Sequence, residues 1–216
     1  MNVEATTVVC YGDSNTWGYV PGSNGDRFPR AVRWTGVAQA ELGSDYQIIE
    51  EGLNGRTTVL DNPLTPYRSG RDYLIPCLES HQPLDLVIVF LGTNDLADRY
   101  SLPPLDIARA AASLTALALS SETGPMHKPP VALLIGLPKL GRLDLLQDTM
   151  ATSAARAAEL PRCFQLAADE VGVPLLDLSP MVSYSDVDGI HLDADGHRHV
   201  GVAIAAEARR LLSRTL

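Results

Sequence analysis

Short apolar runs alternate with longer stretches of helical character along nearly the whole chain, and this alternation restricts the folds open to it. Several runs are continuously apolar, which is typical of strands that helices cover on both faces. The alternation predicts a doubly wound, flavodoxin-like parallel sheet inside a three-layer α/β/α sandwich. Five strands are predicted: TTVVCY (6–11), YQIIE (46–50), LVIVFL (86–91), VALLIG (131–136) and VPLLDL (173–178).

Helices are predicted between these strands and after the last one. Pro161 falls inside one of the stretches and predicts a kink or a break there, because proline lacks the N–H that a helix interior needs. The final stretch ends in basic residues, as the helix dipole prefers. The predicted helices cover residues 33–42, 104–121, 152–170 and 193–214.

Length and charge limit the class of protein. The chain has 216 residues, 45% of them hydrophobic, which suits a single domain over residues 1–216 with a full core. Its formal net charge is −9, with a pI of about 4.9. An acidic chain has no electrostatic reason to bind nucleic acid or an anionic membrane, and no apolar run approaches the roughly 18 residues of a membrane span.

The compartment is inferred from the first residues and the cysteines. MNVEATT has neither the basic nor the apolar region of a secretory leader, so we expect a cytoplasmic protein. Cys10, Cys77 and Cys163 are odd in number and scattered, which argues against a disulfide framework and against a zinc site. No cofactor is expected.

Small and polar residues follow each predicted strand. In doubly wound sheets, ligands bind beyond the carboxyl ends of the strands, where the strand order reverses. Such residues also cap helices and form turns, so each segment alone is ambiguous. The segments are GDSNTWG from Gly12, EGLNGRTT from Glu51, GTND from Gly92, LPKLG from Leu137 and SDVDGIHLDADG from Ser185.

Together these segments contain the parts of an acyl-transfer site. Ser14 is a candidate nucleophile, which needs a neighbouring base because a serine hydroxyl is weakly nucleophilic. His191 is the candidate base, and Asp188 precedes it by three residues, within reach of one ring nitrogen. Asp186 is a rival for this acidic role. The alternative interpretation of Ser14 is a simple helix cap.

Charge that develops on the substrate oxygen needs preorganised N–H donors. The candidates are the backbone N–H groups of Ser14 and Gly55 and the side-chain amide of Asn94. Asp13 and Asp95 are interpreted as structural residues that hydrogen-bond the surrounding loops.

Four of these segments resemble the sequence blocks of the SGNH hydrolases, also called GDSL-like esterases. GDSNT, GLNGRTT, GTND and DGIH match the four blocks in order over nearly the whole chain. The resemblance implies the SGNH hydrolase fold, with Ser14 as nucleophile, His191 as base and Asp188 as acid. It also implies an oxyanion hole formed by Ser14, Gly55 and Asn94.

Longer stretches, among them YGDSNTWGYVPG and EEGLNGRTTVLDNP, look like the arylesterase and acyltransferase subgroup of that family. This resemblance implies a homo-oligomeric esterase for small aryl or alkyl esters with short acyl chains, and acyl transfer to alcohols. Carbohydrate acetyl esters are the alternative substrates. Residues 137–163 match the subgroup less closely, and we expect them to shape the pocket and the subunit contact.

Aromatic residues concentrate in or beside the segment after Ser14, although the chain is poor in them overall. Trp17, Tyr19 and Trp34 are therefore predicted to line the substrate pocket, since small-ligand sites have mostly apolar walls. Asn54 is predicted to bind substrate as well. Packing of the loop onto the sheet is the competing explanation for the aromatics.

Two other classes of function stay open at this point. In a metal-dependent hydrolase, Asp13, Asp95, Asp188 and His191 would surround a divalent ion. In a binding domain, the fold would be kept without the chemistry. A glycosidase is less consistent with the sequence, since no pair of carboxylates stands out as acid and nucleophile.

Overall fold

A computed structural model describes residues 5–213. Its centre is a five-stranded sheet in the order β2-β1-β3-β4-β5, and every neighbouring pair of strands is parallel. The predicted parallel α/β architecture is therefore confirmed. The strands are β1 (Thr6–Gly12), β2 (Tyr46–Gly52), β3 (Leu86–Phe90), β4 (Val131–Gly136) and β5 (Leu175–Asp177).

The strand order reverses at β1. The chain forms β2 on one side of β1 and then crosses over to place β3 on the other side. Gly12, the last residue of β1, lies opposite Gly52 in β2 and Phe90 in β3. The loops that leave these three strands consequently start from one short edge, which is where such sheets bind ligands.

Eight α-helices lie within the described residues. The longer ones cover the two faces of the sheet, and the short ones belong to loops at its carboxyl edge. They are α1 (Ser14–Trp17), α2 (Trp34–Leu42), α3 (Gly70–His81), α4 (Pro104–Leu119), α5 (Gln147–Met150), α6 (Ser153–Ala157), α7 (Leu160–Val171) and α8 (Ala194–Leu212).

Both faces of β1 are fully buried. Val8 and Cys10 belong to the apolar cluster that includes Trp34 of α2. Val9 and Tyr11 belong to a second cluster with Leu74 of α3. Helix α2 packs against α8, while α4 packs against α3 and α7. Burial on both faces explains why these strands are continuously apolar in sequence.

The longer helices differ from the sequence prediction in two places, and the short helices α1 and α5 were not predicted. Helix α3 was not predicted, because Pro76 and several charged residues interrupt its apolar pattern. The predicted stretch 152–170 is divided into α6 and α7, and Pro161 lies in the first turn of α7, as a break at that proline requires. Residues 1–4 and 214–216 of the predicted domain lie outside the described residues.

Membrane insertion was not expected from the sequence. Among residues 5–213, every helix is too short or too polar to span a bilayer.

Candidate active site

Ser14 is the first residue of the short helix α1, two residues beyond the end of β1. The capping role falls to Asp13, whose carboxylate accepts a hydrogen bond from the Asn15 N–H at 2.9 Å. The Ser14 hydroxyl is therefore not used as the helix cap. The sharp turn from strand to helix presents it at the carboxyl edge of the sheet.

The hydroxyl of Ser14 contacts His191, which is distant in sequence. Ser14 Oγ lies 2.9 Å from Nε2 of His191, and Nδ1 of the same ring lies 2.8 Å from Oδ2 of Asp188. A carboxylate can only accept hydrogen bonds, so Nδ1 carries the ring hydrogen and Nε2 is left as the acceptor. The structure therefore brings the three predicted residues together in a continuous hydrogen-bonded chain.

Asp188 is fixed by several donors besides the imidazole. Its carboxylate accepts the N–H groups of Gly22 at 2.9 Å, Ile190 at 3.2 Å and His191 at 3.1 Å. Burial opposes the negative charge, but the hydrogen bond and charge of His191, with backbone donors, lower the pKa of Asp188 below its ordinary value. Asp188 is therefore held as the anion.

The rival carboxylate points elsewhere. The Asp186 side chain is 67% exposed, lies 3.9 Å from the Arg142 guanidinium and accepts the Arg142 N–H at 3.0 Å. Between the two candidates, only Asp188 reaches the imidazole ring.

The backbone N–H groups of Ser14 and of Gly55, in the loop after β2, are free to donate within the described chain. Among residues 5–213, neither Ser14 nor Gly55 donates its N–H to another residue. Gly55 has a φ of +75°, a conformation that a residue with a side chain rarely adopts. The turn after β2 therefore requires a glycine at this position.

The side chain of Asn94 follows β3 and faces the same edge. Its Nδ2 donates to the Arg56 carbonyl oxygen at 3.0 Å and makes a longer contact of 3.4 Å to Asp13 Oδ2. The amide is thus oriented by one good hydrogen bond, while its second hydrogen makes only the weaker contact.

Two buried aspartates support these loops, as their structural interpretation predicts. Burial raises the pKa of Asp13 to about 6 and that of Asp95 to about 6. Asp95 accepts the Thr58 hydroxyl at 2.6 Å and its N–H at 3.1 Å, which joins the loop after β3 to the loop after β2. The two loops that carry Asn94 and Gly55 are thereby fixed to each other.

Asn15 is a component that the sequence interpretation did not assign. Its Nδ2 donates to the carbonyl oxygen of Ile190 at 3.0 Å, and its Oδ1 accepts the N–H of Leu192 at 2.9 Å. These residues flank His191, so one buried amide holds the backbone on both sides of the imidazole. Its position directly after Ser14 was the available signal.

Of the predicted aromatic wall residues, Tyr19 lies nearest to the imidazole. Its ring stacks on His191 with centroids 4.5 Å apart, and its hydroxyl donates to the Ser23 carbonyl oxygen at 2.6 Å. Trp17 is half-buried beside Tyr19, and the Arg27 guanidinium lies 4.9 Å from its ring centroid. Both aromatics therefore occupy the histidine side of the site.

The prediction for Trp34 is wrong. Its side chain is 0% exposed and packs edge-on against Phe90 in the core beneath the sheet, where no substrate reaches it. Asn54 is half-buried next to Gly55, and within the described chain its buried Oδ1 accepts no hydrogen bond. Its predicted contact with substrate stays a prediction.

A cavity of about 200 Å³ adjoins the loops that follow β2 and β3. Gly55 and Asn94 form part of its wall, together with Ile190, the neighbour of His191. Segment 137–163 contributes to it, as expected from its departure from the family pattern. The remaining lining residues are Asn62, Thr93, Ala97, Arg99, Tyr100, Leu146, Thr149 and Met150.

The arrangement that a metal-dependent hydrolase would need is not formed. Asp188 faces the imidazole, Asp13 faces amide donors of the neighbouring loops and Asp95 faces Thr58. Within residues 5–213, the donor atoms of these aspartates and His191 do not converge on one centre.

A known family and several solved structures resemble this chain over most of its length. A model of the GDSL-like lipase/acylhydrolase family matches residues 10–199. The structure of the M. smegmatis aryl esterase is similar at a TM-score of 0.90 and 39% sequence identity, with 96% of this chain and 100% of that chain covered. No curated protein sequence gave a significant match.

Two further solved structures belong to the same group of neighbours. A carbohydrate acetylesterase from Sinorhizobium meliloti has a TM-score of 0.90 and 36% identity, with 95% of this chain and 99% of that chain covered. A carbohydrate acetylesterase family member from the same organism has a TM-score of 0.89 and 32% identity, covering 96% and 99%. The chain belongs to the GDSL-like lipase/acylhydrolase, or SGNH, family. It is a carboxylic ester hydrolase.

Proposed function

We propose that the protein is a serine esterase that hydrolyses short-chain, acetyl-like esters of aryl or simple alkyl alcohols through an acyl-enzyme on Ser14. The observation that carries this proposal is the hydrogen-bonded chain from Ser14 through His191 to Asp188, beside two free backbone donors. This arrangement contains a nucleophile, an oriented base and donors for an oxyanion.

In the first half of the reaction, His191 Nε2 takes the proton of Ser14 as Oγ attacks the ester carbonyl carbon. Asp188 stabilises the imidazolium that forms and keeps the ring in one orientation. The carbonyl oxygen gains negative charge and accepts the N–H groups of Ser14 and Gly55. The Asn94 amide supplies a third donor by exchanging its long contact with Asp13 for the oxyanion.

In the second half, the tetrahedral intermediate collapses and His191 protonates the departing alcohol. A water molecule, or another alcohol, then attacks the acyl-enzyme with His191 again as base. Transfer to an alcohol is part of the proposal, because the Tyr19 ring stacked on the imidazole reduces the room for water.

The small cavity supports a short acyl group or a small alcohol, and aryl ester hydrolysis is the activity in the name of the M. smegmatis neighbour. Acetylated carbohydrates are the second candidate. Asn62, Arg99 and Thr149 give the cavity polar edges that suit sugar hydroxyls, and two neighbours are described as carbohydrate acetylesterases.

We also propose that the chain is one domain that assembles into a cytoplasmic homo-oligomer. Assembly is supported by large apolar side chains in the loop after β2: Leu64 is 82% exposed and Tyr67 is 85% exposed. Light scattering coupled to size-exclusion chromatography tests assembly. A mass equal to that of one chain would contradict it.

The enzymatic proposal is tested by hydrolysis of p-nitrophenyl acetate by the wild type and by Ser14→Ala, with a chelator present throughout. We expect turnover by the wild type and loss of activity to background in the variant, since removal of a catalytic serine costs about a million-fold in a comparable triad. Equal activity of the two proteins would exclude Ser14 as the nucleophile. Parallel assays of acetylated sugars decide between the two substrate classes.

A further inference from the structure

A cluster of three potential metal ligands lies away from the candidate active site, where β2 meets α3. Glu51 comes from the end of β2, while Cys77 and His81 come from the last turns of α3. Nε2 of His81 lies 2.8 Å from Oε1 of Glu51, and the sulfur, nitrogen and oxygen donor atoms all lie within 4.8 Å of one another. We propose that these residues bind one zinc ion.

The local structure explains why the ligands converge. Cys77 and His81 are one helical turn apart, so their side chains leave the same face of α3. That face packs against the sheet, where Tyr11 of β1 and Cys77 share one apolar cluster. Glu51 lies opposite Tyr11 in the register of β1 and β2, which places its side chain beside α3.

The donor set favours zinc over the hard cations. Thiolate, imidazole and carboxylate are the ligands that Zn²⁺ takes in proteins, whereas Mg²⁺ and Ca²⁺ prefer oxygen alone. With bond lengths of about 2.0 to 2.3 Å, tetrahedral ligand atoms lie about 3.4 to 3.6 Å apart. Nε2 of His81 and Oε1 of Glu51 are closer than this, at 2.8 Å, and the Cys77 sulfur lies within 4.8 Å of both. Side-chain rotations would bring the three atoms to bonding distance of one ion, and a water molecule would complete four ligands.

The charges and the access route are compatible with a divalent ion. Within residues 5–213, the only ion-pair partner of the Glu51 carboxylate is His81. Nη1 of the neighbouring Arg56 donates to the carbonyl oxygens of Glu51 and Gly12, and its guanidinium lies over the Tyr11 ring. His81 and Glu51 each line a surface cleft, so an ion reaches the cluster from solvent.

Binding replaces the hydrogen bond between His81 and Glu51 with bonds to the metal. The Cys77 thiol releases its proton to the buffer as the zinc–sulfur bond forms, and the resulting thiolate and the Glu51 carboxylate balance the two charges of the ion. The ion would join α3 to the strand that leads to the Gly55 loop. Its role is structural, and the proposed ester chemistry does not use it.

The test uses Co²⁺ as a spectroscopic probe. The full-length protein is first stripped of metal with a chelator, the chelator is then removed, and the thiols are kept reduced with a reductant that contains no thiol. We expect one Co²⁺ per chain, a near-ultraviolet thiolate-to-cobalt band, and displacement of Co²⁺ by stoichiometric Zn²⁺. Cys77→Ala should abolish the band. His81 is half-exposed, and His81→Gln should weaken Zn²⁺ binding by about 100-fold or more. Loss of a residue that only hydrogen-bonds a metal ligand already lowers metal affinity by about 10- to 100-fold.

Cys163→Ala is the matched control, because Cys163 is also a buried helical cysteine but lies in α7, outside the cluster. This variant should keep the band and the affinity. Failure of the wild type to produce the band would overturn the proposal. The proposal would also be overturned if His81→Gln bound Zn²⁺ as tightly as the wild type while its circular dichroism spectrum showed a wild-type fold.

Discussion

The two sides of the candidate active site are built differently. On the histidine side, hydrogen bonds fix the imidazole and its carboxylate partner: Asn15 joins the backbone on both sides of His191, and Asp188 accepts several donors. On the cavity side, loops with short helical turns, at 97–100 and 144–150, supply the walls, and half-buried or exposed residues such as Arg99 and Thr149 line them.

This contrast separates reactivity from selectivity. The histidine side must keep reacting atoms within a few tenths of an ångström of their working positions, which requires buried and satisfied polar groups. In the proposed reaction, the cavity side only has to accommodate part of the substrate, so its residues need not be held as precisely. Changes on the first side should therefore reduce the rate on every ester, and changes on the second should alter the preference among esters.

Among the changes that test this contrast, Asp188→Asn should have the largest effect. The variant amide no longer holds the imidazole in the required tautomer, and the equivalent change in a serine protease lowers kcat by about 10,000-fold. Asp186→Asn is the matched control two residues away and should stay within about twofold of the wild type. Steady-state kinetics on p-nitrophenyl acetate measure both. A comparable loss in the two variants would contradict the assignment of Asp188 as the acid.

A smaller loss of activity is expected for Asn15→Ala. This change removes the hydrogen bonds that hold the backbone on both sides of His191, while the imidazole and Asp188 remain. A displacement of a catalytic group by about 1 Å lowers the rate by about 100-fold. We therefore expect kcat to fall by about 10- to 100-fold, with KM nearly unchanged. Asn24→Ala is the control, because Asn24 is exposed in the loop between α1 and α2.

The split between kcat and KM distinguishes positioning of His191 from general destabilisation. A variant with unchanged kcat at a lower thermal midpoint would show that Asn15 acts only on stability.

Selectivity should respond to Leu146→Trp, which fills part of the cavity. We expect kcat/KM for butyryl esters to fall by about tenfold relative to acetyl esters, since a pocket discriminates roughly this much per methylene group. Leu145→Trp is the control, because Leu145 is 67% exposed and does not line the cavity. Equal loss on both esters would place Leu146 outside the acyl pocket.

The smallest effect concerns stability and pH. The pKa of Asp95 is about 6 in the folded protein against an ordinary value of 3.8, so the folded state binds its proton more tightly. Stability from this group therefore increases as the pH falls from 7 towards 4. Asparagine does not titrate, so the thermal midpoint of Asp95→Asn should fall further below that of the wild type as the pH is lowered from 7 to 4. A constant difference would contradict the raised pKa.

The candidate catalytic and oxyanion residues could be located from the sequence, because they follow strands or precede a helix. All five strands were found near their predicted positions, and Ser14, Gly55 and Asn94 follow β1, β2 and β3 directly. The distance along the sequence to His191 reduced the candidates for its carboxylate partner to Asp188 and Asp186. The choice between them depends on the tight turn that directs Asp188 towards the ring.

Beyond the expectation for segment 137–163, most residues of the cavity wall could not be predicted, because they lie in loops and short helical turns without a periodic apolar pattern. Nothing in the sequence shows that Leu146 and Tyr100 line one cavity, since loop conformation depends on contacts that are distant along the chain. The error at Trp34 has a related cause. An aromatic residue near a site in sequence is also a good core residue, and Trp34 begins α2, whose inner face packs in the core.

The central claim is that Ser14 is an activated nucleophile, and covalent labelling with a fluorophosphonate tests it most directly. Intact-mass and peptide mass spectrometry should show a single adduct on Ser14 in the wild type. The adduct should be absent in Ser14→Ala and should form far more slowly in His191→Gln. An unlabelled wild type, or an adduct on another residue that persists in Ser14→Ala, would contradict the claim.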